Sequence, residues 1–444
     1  MNIESLKNKV REYAEKLQDR ARTCGAYNKD IKIPEALIKS LPGLYANTME
    51  TTVQIEENNR AFVITGDIEA MWLRDSSAQV YQYLKLASED EELAELIYAL
   101  LNRQFDCILY DPYANAFNKE ENDRHWEIDE PRQKPAVWEQ KYEIDSLCYP
   151  LALARKYYLA TKSRKFYDSE LFHKGLKEII NVFYTEQDHE NRSDYYFIRR
   201  NTVPQDTLSN DGRGSKVRPC GLIFSGFRAS DDACVYGYHI PDNLFAEAEL
   251  RKLLELNENE QPKILSAEEI LKIKEVLIPL QEALKEEVIM ELEDFGKVYA
   301  YECDGYGNYL FMDDANVPSI LSLPYLGVCE KDNPLYLRSR AAVLSEANPY
   351  YFEGEAAKGI GSPHTPEDYI WPIALSIQAL TSTDSDEINR LLEMLARSQA
   401  GTSYMHEGFH KDRPEEYTRD WFAWSNSLCA YLLEKLILGL DELT

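Results

Sequence analysis

The chain is short of positive charge. Its 444 residues include 49 Lys and Arg against 77 Asp and Glu, which gives a formal net charge of −28 at pH 7. Nucleic acids and anionic lipid surfaces attract proteins through a basic face. We therefore expect no nucleic-acid partner and no membrane partner. The composition is better suited to an uncharged ligand.

Long apolar runs and flexible linkers are also missing. No stretch approaches the roughly 18 apolar residues that a membrane-spanning helix needs. The first seven residues, MNIESLK, lack the apolar core of a secretory signal. No Pro-, Gly- or Ser-rich segment divides the chain, and no internal repeat is evident. We expect a single domain over residues 1–444, and the sequence identifies no partner protein.

The eight cysteines form no C-x-x-C pair. They are scattered, and Cys148 and Cys429 lie inside apolar helical patterns. Disulfide frameworks and zinc sites are marked instead by short, regular cysteine spacings. The distribution is typical of reduced, buried thiols, so we expect a cytoplasmic protein.

Much of the chain carries the 3–4 spacing of apolar residues that is typical of amphipathic helices. This spacing predicts helices over about 4–22, 34–49, 93–105, 142–161 and 166–185, and a last helix from about 418. Further helix starts are predicted after Ser76, near Asp231, at the capping box of Ser266 and Glu269, and at Thr365. Residues 298–312 flank Asp304-Gly305 with apolar residues and predict a β-hairpin.

Short turns and long polar loops alternate between the predicted helices. This alternation favours a closed ring of helical hairpins, an all-α toroid in which the long loops gather at one rim. The loop over 110–141 is unusually long for a compact domain and carries two tryptophans, which indicates a functional segment.

The stretch Thr65–Ser76 contains three carboxylates, one guanidinium and one indole. Arg and Asp side chains can hold sugar hydroxyls by charge-assisted hydrogen bonds, while Trp72 offers an apolar ring face. A structural alternative is a helix N-terminus with an Arg74–Asp75 ion pair, because ion pairs also stabilise folds.

Other long loops also end in acidic residues beside an aromatic residue or an Arg. They cover residues 141–145, 225–232, 312–316 and 405–410, and all six tryptophans lie in such loops or near the helix starts that follow. Glycoside cleavage needs a carboxylic acid that protonates the leaving oxygen and a second carboxylate that activates water or attacks carbon. Flat apolar faces hold the sugar.

Each pattern has an alternative interpretation. Asp231-Asp232 could be acidic residues that complement a helix dipole. His406 and His410 flank Glu407 at the i, i+4 spacing of a pair of metal ligands on a helix. Gly408, however, interrupts the helix that would align them. Asp313-Asp314 is typical of acidic pairs that hold Mg²⁺, although few basic residues accompany it. The loop residue His364 could simply be a hydrogen-bonding group.

Several runs together resemble glycoside hydrolase family 125. They are TGDIEAMWLRDSSAQ, DPYANAFN, WEQKYEIDSLCYP, SGFRASDDACVYGY, MDDANVPSILSLPYLG, SPHT with YIWPIALSIQAL, and MHEGFHKDRPEEYTRDWFAWSNS. The similarity covers roughly residues 30–440. It implies an (α/α)6 barrel with long rim loops, and an exo-acting, inverting α-1,6-mannosidase that needs no cofactor or metal and acts on a mannose-containing glycan.

The resemblance also implies residue functions. The general acid is the first Asp of the S-D-D run, Asp231, and the general base is the Glu of M-H-E, Glu407. On a helix, Asp231 and Asp232 would point about 100° apart, so only one could face the sugar. An inverting pair stands roughly 6.5–9.5 Å apart to admit a water molecule. We expect a raised pKa for Asp231, because a general acid is protonated near neutral pH.

Further positions match the family's sugar-contacting motifs: Arg74, Asp75, Asp145, Arg228, Ser230, Asp313, Asn316, His364 and Trp371. The chain also departs from the family pattern. Ala229 stands where Pro is frequent, Gly408 stands where Ser is common, and segment 120–137 matches poorly. Outer contacts from His125, Trp126 and Trp138 are therefore not carried over.

Two other functions remain open on the sequence. The first is a metal-dependent enzyme that uses the Asp313-Asp314 or the Asp231-Asp232 pair. The second is a toroid that binds mannose without cleaving it.

Overall fold

The structure, a computed structural model, describes residues 1–440. Within them the helices are α1 (Ile3–Cys24), α2 (Glu35–Thr51), α3 (Leu73–Ala78), α4 (Leu84–Ala87), α5 (Glu91–Tyr110), α6 (Ile144–Thr161), α7 (Glu170–Glu186), α8 (His189–Arg192), α9 (Ile240–Asn259), α10 (Ala267–Glu286), α11 (Pro334–Val343), α12 (Pro372–Thr381), α13 (Ser385–Ser398) and α14 (Ala423–Leu438).

Short strands lie between these helices. They are β1 (Val53–Glu56), β2 (Arg60–Val63), β3 (Met71–Trp72), β4 (Ala116–Phe117), β5 (Val137–Glu139), β6 (Tyr238–His239), β7 (Ile289–Leu292), β8 (Gly296–Tyr299), β9 (Glu302–Cys303), β10 (Tyr309–Leu310), β11 (Tyr351–Glu353), β12 (Lys358–Ile360), β13 (Tyr369–Ile370) and β14 (Phe409–His410). All pairings between them are antiparallel.

The helices form an inner and an outer ring, which confirms the predicted (α/α)6 barrel. The inner ring contains α3 with α4, then α6, α9, a buried turn segment over 319–328, α12 and α14. Neighbours in this ring pack on each other, α3 on α6, α6 on α9, and α14 on both α12 and α3. The outer ring contains α2, α5, α7, α10, α11 and α13, and α1 covers α2 from outside.

Burial separates the two rings. The inner helix α14 buries residues on all its faces, including Trp424, Leu428 and Leu432. The outer helix α13 buries one stripe that includes Ile388 and Leu392. A helix enclosed by neighbours is apolar all round, whereas a helix with one solvent face has an apolar stripe. The sequence periodicity predicted outer helices such as α5 and α7, whereas the outer helices α11 and α13 were not predicted.

Turns replace the fifth inner helix over 319–328. Pro318 and Pro324 lack the backbone N–H groups that a continuous helix requires. The Asp313 carboxylate accepts hydrogen bonds from the backbone nitrogens of Ile320 and Leu321 at 2.8 and 2.9 Å. Burial raises the pKa of Asp313 to about 8, against the effect of these two donors. Asp313 therefore closes a turn of the inner ring.

Three predicted helix starts are wrong. The helix expected near Asp231 begins at Ile240, the helix expected at Thr365 begins at Pro372, and the last helix begins at Ala423 rather than near 418. In each case rim structure occupies the preceding residues. The Thr365 hydroxyl accepts a hydrogen bond from Trp371 Nε1 at 2.9 Å, so this hydroxyl binds a rim side chain and caps no helix.

Other local predictions are confirmed. Ser266 and Glu269 form the reciprocal capping box that begins α10. The hairpin around Asp304-Gly305 is present as β9 and β10, although Val298-Tyr299 belongs to a second hairpin, β7 with β8. Of the eight cysteines, which were expected to be buried, four are buried, three are partly exposed and Cys24 is exposed. Over residues 1–440, no helix combines the length and the apolarity needed to cross a membrane. Residues 441–444 of the predicted domain lie outside the described range.

Two helical glycines allow a matched test of this packing. A Cβ on Gly175 in α7 would overlap the ring of Phe105 in α5, whereas a Cβ on Gly43 in α2 would meet Tyr404 at ordinary distances from 3.6 Å. We expect Gly175→Ala to lower the free energy of unfolding by about 1–3 kcal/mol through overpacking. Gly43→Ala should raise it by about 0.5–1 kcal/mol through its effect on the unfolded chain. Urea denaturation measures both, and equal changes would contradict the described α5–α7 contact.

Candidate active site

A cavity of about 640 Å³ lies where rim segments of the barrel converge. Its size falls within the range of small-molecule sites. The lining comes from the segment before α3, from β5 and Lys141, and from the loops at 203–206, 229–232, 363–366 and 418–424. Loops that were far apart in sequence therefore face one space.

Most of the predicted site residues line this cavity. They are Arg74, Asp75, Ser230, Asp231, Asn316, His364, Trp371 and Glu407. Three others, Asp145, Arg228 and Asp313, are not among the lining residues. The Asp145 carboxylate accepts a hydrogen bond from Arg74, and Arg228 Nε donates to Glu302 at 2.6 Å. Together with Asp313 in its turn, these side chains lie behind the lining residues, and their contact with sugar stays a prediction.

Arg74 is the centre of a buried charge network. Only 3% of its surface is exposed. Its Nη1 donates to Glu143 Oε2 at 2.8 Å and to Asp145 Oδ2 at 3.0 Å, and its Nη2 donates to Asp231 Oδ1 at 3.3 Å. The Asp75 carboxylate stands 3.7 Å from Nε. The alternative Arg74–Asp75 ion pair is thus present, within a larger cluster that faces the cavity.

Asp231 occupies a tight turn and not a helix. Its φ of 66° is left-handed, a region that Asp enters more readily than most residues. Its backbone nitrogen donates to the Arg228 carbonyl at 2.9 Å, and Arg228 nitrogen donates back to the Asp232 carbonyl at 2.8 Å. Lys141 Nζ holds the Asp231 carbonyl oxygen at 2.7 Å. The predicted helical angle between Asp231 and Asp232 therefore does not apply; the turn orients them.

The expected raised pKa of Asp231 is wrong. Burial raises it, but the charges of Arg74 and Lys141 outweigh burial and hold the pKa at about 2. The neighbouring Glu143 behaves in the opposite way. Burial raises its pKa well above the ordinary value, with Arg74 opposing and Asp231 reinforcing the shift. Of the two carboxyl groups, Glu143 therefore has the higher affinity for a proton.

Glu407 lies on the same cavity as Asp231 and is held separately. Its backbone nitrogen donates to the Thr418 carbonyl at 3.3 Å, and its Oε1 accepts from Arg419 Nη1 at 3.4 Å. Arg419 Nε in turn donates to Asp67 at 3.0 Å. Among the ion pairs and hydrogen bonds of residues 1–440, none joins Glu407 to Asp231. The two carboxyl groups thus face a shared cavity from different loops.

His364 adds positive charge to this acidic cavity. Its Nδ1 donates to Asp232 Oδ1 at 3.3 Å. Burial lowers the pKa of His364, but the Asp232 carboxylate outweighs it and raises the pKa to about 9. The other Asp232 oxygen is buried and has no hydrogen-bond partner among the described residues. An imidazolium beside an unpaired carboxylate oxygen can bind vicinal hydroxyl groups.

Aromatic side chains form the apolar walls. They are Trp72, Trp126, Trp371, Phe422 and Trp424. Trp126 remains 53% exposed, and its ring centroid stands 6.4 Å from that of Trp138. His125 Nδ1 bonds instead with the Val137 carbonyl at 2.7 Å. Of the divergent segment 120–137, Trp126 therefore lines the cavity.

The two departures from the family pattern both lie beside the cavity. Ala229 is one of the lining residues. A Cβ on Gly408 would approach the Trp371 ring to 3.2 Å. A serine at position 408 would therefore press on Trp371, so glycine there lets this indole keep its position.

Four residues on the network were not predicted as site residues: Asn115, Lys141, Glu143 and Arg419. Asn115 Nδ2 donates to Asp231 Oδ1 at 3.2 Å, and Arg419 meets Glu407 as described. All four lie inside the sequence runs that carry the family resemblance. Their position inside these runs was the only sequence feature that could have indicated a function. A polar side chain by itself does not show whether it faces the cavity.

The histidines beside Glu407 do not form a ligand pair. His406 stacks on Tyr417 with ring centroids 3.6 Å apart, and His410 Nδ1 accepts a hydrogen bond from Asp412 nitrogen at 3.1 Å. Over residues 1–440, no group of three or more His, Cys, Asp or Glu side chains is placed to hold a metal ion. The arrangement instead offers carboxylic acids, hydroxyl-binding groups and indoles, which suits carbohydrate chemistry.

Comparison with known proteins identifies the family. A family model described as metal-independent alpha-mannosidase (GH125) matches residues 35–433. The chain belongs to glycoside hydrolase family 125. It is therefore a glycoside hydrolase, and the family's description as metal-independent contradicts the alternative of a metal-dependent enzyme built on Asp313-Asp314 or Asp231-Asp232.

Relatives of this family 125 chain include a solved α-mannosidase structure from Streptococcus pneumoniae, a non-productive complex with α-1,6-mannobiose. It is 41% identical with a TM-score of 0.91, over 98% of this chain and 99% of that one. The meiotically up-regulated gene 157 protein of Schizosaccharomyces pombe is 38% identical over 91% of this chain and 82% of its own length. A structure called Glycosidase E178A is 12% identical with a TM-score of 0.50, over 91% and 97%, and shares the fold alone.

The Arg74 network makes a pH-dependent prediction for stability. We expect Arg74→Gln to lower the free energy of unfolding by about 3–5 kcal/mol near pH 8, because it leaves buried carboxylates without their counter-charge. Burial already raises the pKa of Asp145 to about 7, against the effect of Arg74. A raised pKa in the folded state costs stability as pH rises from about 4 through that value. The loss should therefore be smaller at pH 5, and urea denaturation at both pH values with equal losses would contradict the network.

Proposed function

We propose that this family 125 member is an exo-acting, inverting α-1,6-mannosidase that removes terminal non-reducing mannose from glycans. The observation that carries the proposal is the placement of Asp231 and Glu407 on one cavity, held by separate loops without contact between them. The α-1,6-mannobiose in the S. pneumoniae relative supports the substrate class.

The shape of the cavity supports exo action. Its lining includes the buried side chains of Arg74 and Trp424, and we infer that they close its inner end. A chain terminus fits such a pocket, whereas an internal sugar of a polymer would need a cleft open at both ends. Trp126 stands exposed among the lining residues and offers a ring face to the sugar on the leaving side.

Asp231 and Glu407 divide the reaction. Asp231 gives its proton to the glycosidic oxygen as the bond from that oxygen to C1 breaks. A water molecule attacks C1 from the opposite face, and Glu407 takes one proton from it. The products are β-mannose and the shortened glycan. Arg419 holds Glu407 in position, since its guanidinium also binds Asp67.

Asp231→Asn and Glu407→Gln test these functions. Each change should lower kcat on α-1,6-mannobiose by about 10²–10⁴-fold, because positioned acids and bases contribute about that much. The matched control for Asp231 is Asp211→Asn, because Asp211 also has a left-handed φ, of 53°, but lies exposed on the surface. The matched control for Glu407 is Glu415→Gln, an exposed glutamate in the same loop. Both controls should keep the wild-type kcat.

Wild-type rates in both Asp231→Asn and Glu407→Gln would overturn the assignment of these residues as general acid and general base. Oligomannose binding without hydrolysis by the wild-type chain would instead support the alternative of a non-catalytic toroid.

The stereochemistry is a separate prediction. One displacement at C1 inverts configuration, so the first mannose released from α-1,6-mannobiose should be the β anomer. Proton NMR of the anomeric region during the first minutes resolves it before mutarotation mixes the anomers. An initial α anomer would indicate a covalent intermediate and remove Glu407 from its function as base.

The cellular site of action is also a proposal. We propose that the enzyme works in the cytoplasm, on the ground of its eight free cysteines.

A further inference from the structure

Glu143 and Asp231 share two hydrogen-bond donors. Arg74 donates from Nη1 to Glu143 and from Nη2 to Asp231, at 2.8 and 3.3 Å. Asn115 Nδ2 reaches Glu143 Oε1 at 3.4 Å and Asp231 Oδ1 at 3.2 Å. The two carboxyl groups therefore lie side by side on the same donors. Two carboxylates so placed repel each other unless one of them carries a proton.

Their surroundings differ in one respect. The Glu143 side chain is fully buried at the start of α6, while the Asp231 side chain is 23% exposed and reaches the cavity. The cavity lining includes Asp231 and leaves Glu143 out. A substrate in the cavity therefore meets Asp231, and Glu143 stands directly behind it.

The charged groups around the pair come from several elements. Arg74 from α3, Asp145 from α6 and Asp231 from the turn face Glu143. Lys141 and His364 face Asp231 in addition to Arg74. Lys141 also pairs with Glu139 and Asp206, and His364 also pairs with Asp232. Together with Arg74, both cations still favour the ionised form of Asp231. Without another source of proton affinity, Asp231 would be a poor proton donor near neutral pH.

We propose that Glu143 and Asp231 hold one proton between them, and that Glu143 is the positioning residue that keeps Asp231 able to protonate the leaving oxygen. The inference rests on the proposed function and deepens it. Such a dyad titrates as a unit, as two interacting carboxyl groups do.

The proton balance is closed within the cycle. Before the reaction the proton resides on Glu143. When the glycan binds, this proton passes to Asp231 and from there to the glycosidic oxygen as the C1–O bond breaks. Glu143 and Asp231 are then both ionised beside Arg74. Glu407 releases the proton that it took from water to solvent, and the dyad takes one proton back.

Glu143→Gln tests the dyad, because it removes the shared proton and keeps the shape of the side chain. We expect kcat/KM on α-1,6-mannobiose at pH 7 to fall about 10²-fold, the lower end for loss of acid catalysis. The basic limb of the pH profile should move about one unit or more to lower pH. On 2,4-dinitrophenyl α-mannoside, whose leaving group needs no proton, the loss should be below about tenfold.

Ser146→Ala should shift the basic limb of the pH profile in the opposite direction, and it leaves both carboxyl groups in place. Ser146 Oγ donates to Glu143 Oε2 at 3.0 Å and so stabilises the ionised form. Its loss should move the basic limb to higher pH. This variant decides the question if Glu143→Gln does not fold.

Glu434→Gln is the matched control, since Glu434 is also a buried carboxyl group with a raised pKa, but it is bound by the Tyr13 and Tyr45 hydroxyls away from the cavity. Its basic limb should stay at the wild-type pH.

Asp231→Asn separates the two proposals. If its loss of activity is the same on α-1,6-mannobiose and on the dinitrophenyl mannoside, the proposed function itself fails. If its loss is larger on mannobiose, the proposed function stands. The dyad alone is then overturned if Glu143→Gln leaves the basic limb unmoved, or if it lowers the activity on both substrates equally. An unmoved limb in Ser146→Ala would likewise count against the dyad.

Discussion

The site depends on the ion pairs that Arg74 makes with the surrounding carboxylates. A single buried guanidinium contacts Glu143, Asp145 and Asp231, and its Nε stands near Asp75. Several carboxylates could not be packed so closely in a protein interior without it, since unpaired buried charge is costly. The same guanidinium holds Asp231 at the cavity and favours its ionised form. Structure and chemistry are therefore coupled at this side chain.

The double ring of helices serves this arrangement. Inner helices begin beside the cavity, so that residues at or just before their first turns, such as Arg74 and Trp371, face it. The connecting loops supply Asp231 and Glu407 from distant parts of the sequence. These loops contain little helix or strand. They are held by side-chain contacts, such as that of Arg419 with Glu407 and that of Lys141 with the Asp231 carbonyl.

Guidance from the sequence was unequal along the chain. Outer helices such as α5 and α7 were predictable because one face meets solvent and the other the core, which leaves a clear period. The outer helices α11 and α13 and the turn segment over 319–328 were not predicted. Helix starts after rim loops were misplaced, because Asp and Thr side chains serve turns as readily as helix caps. Asp231 and Thr365 are both such residues.

The sequence by itself determined the family, the helical class and the candidate acid and base, because these are carried by contiguous runs of residues. Only the tertiary structure decided that Asp145, Arg228 and Asp313 stand behind the cavity, that Asp231 occupies a left-handed turn, and that Glu143 adjoins it. Proton affinity depends on burial and on charges brought from distant segments. No local pattern of residues records those distances.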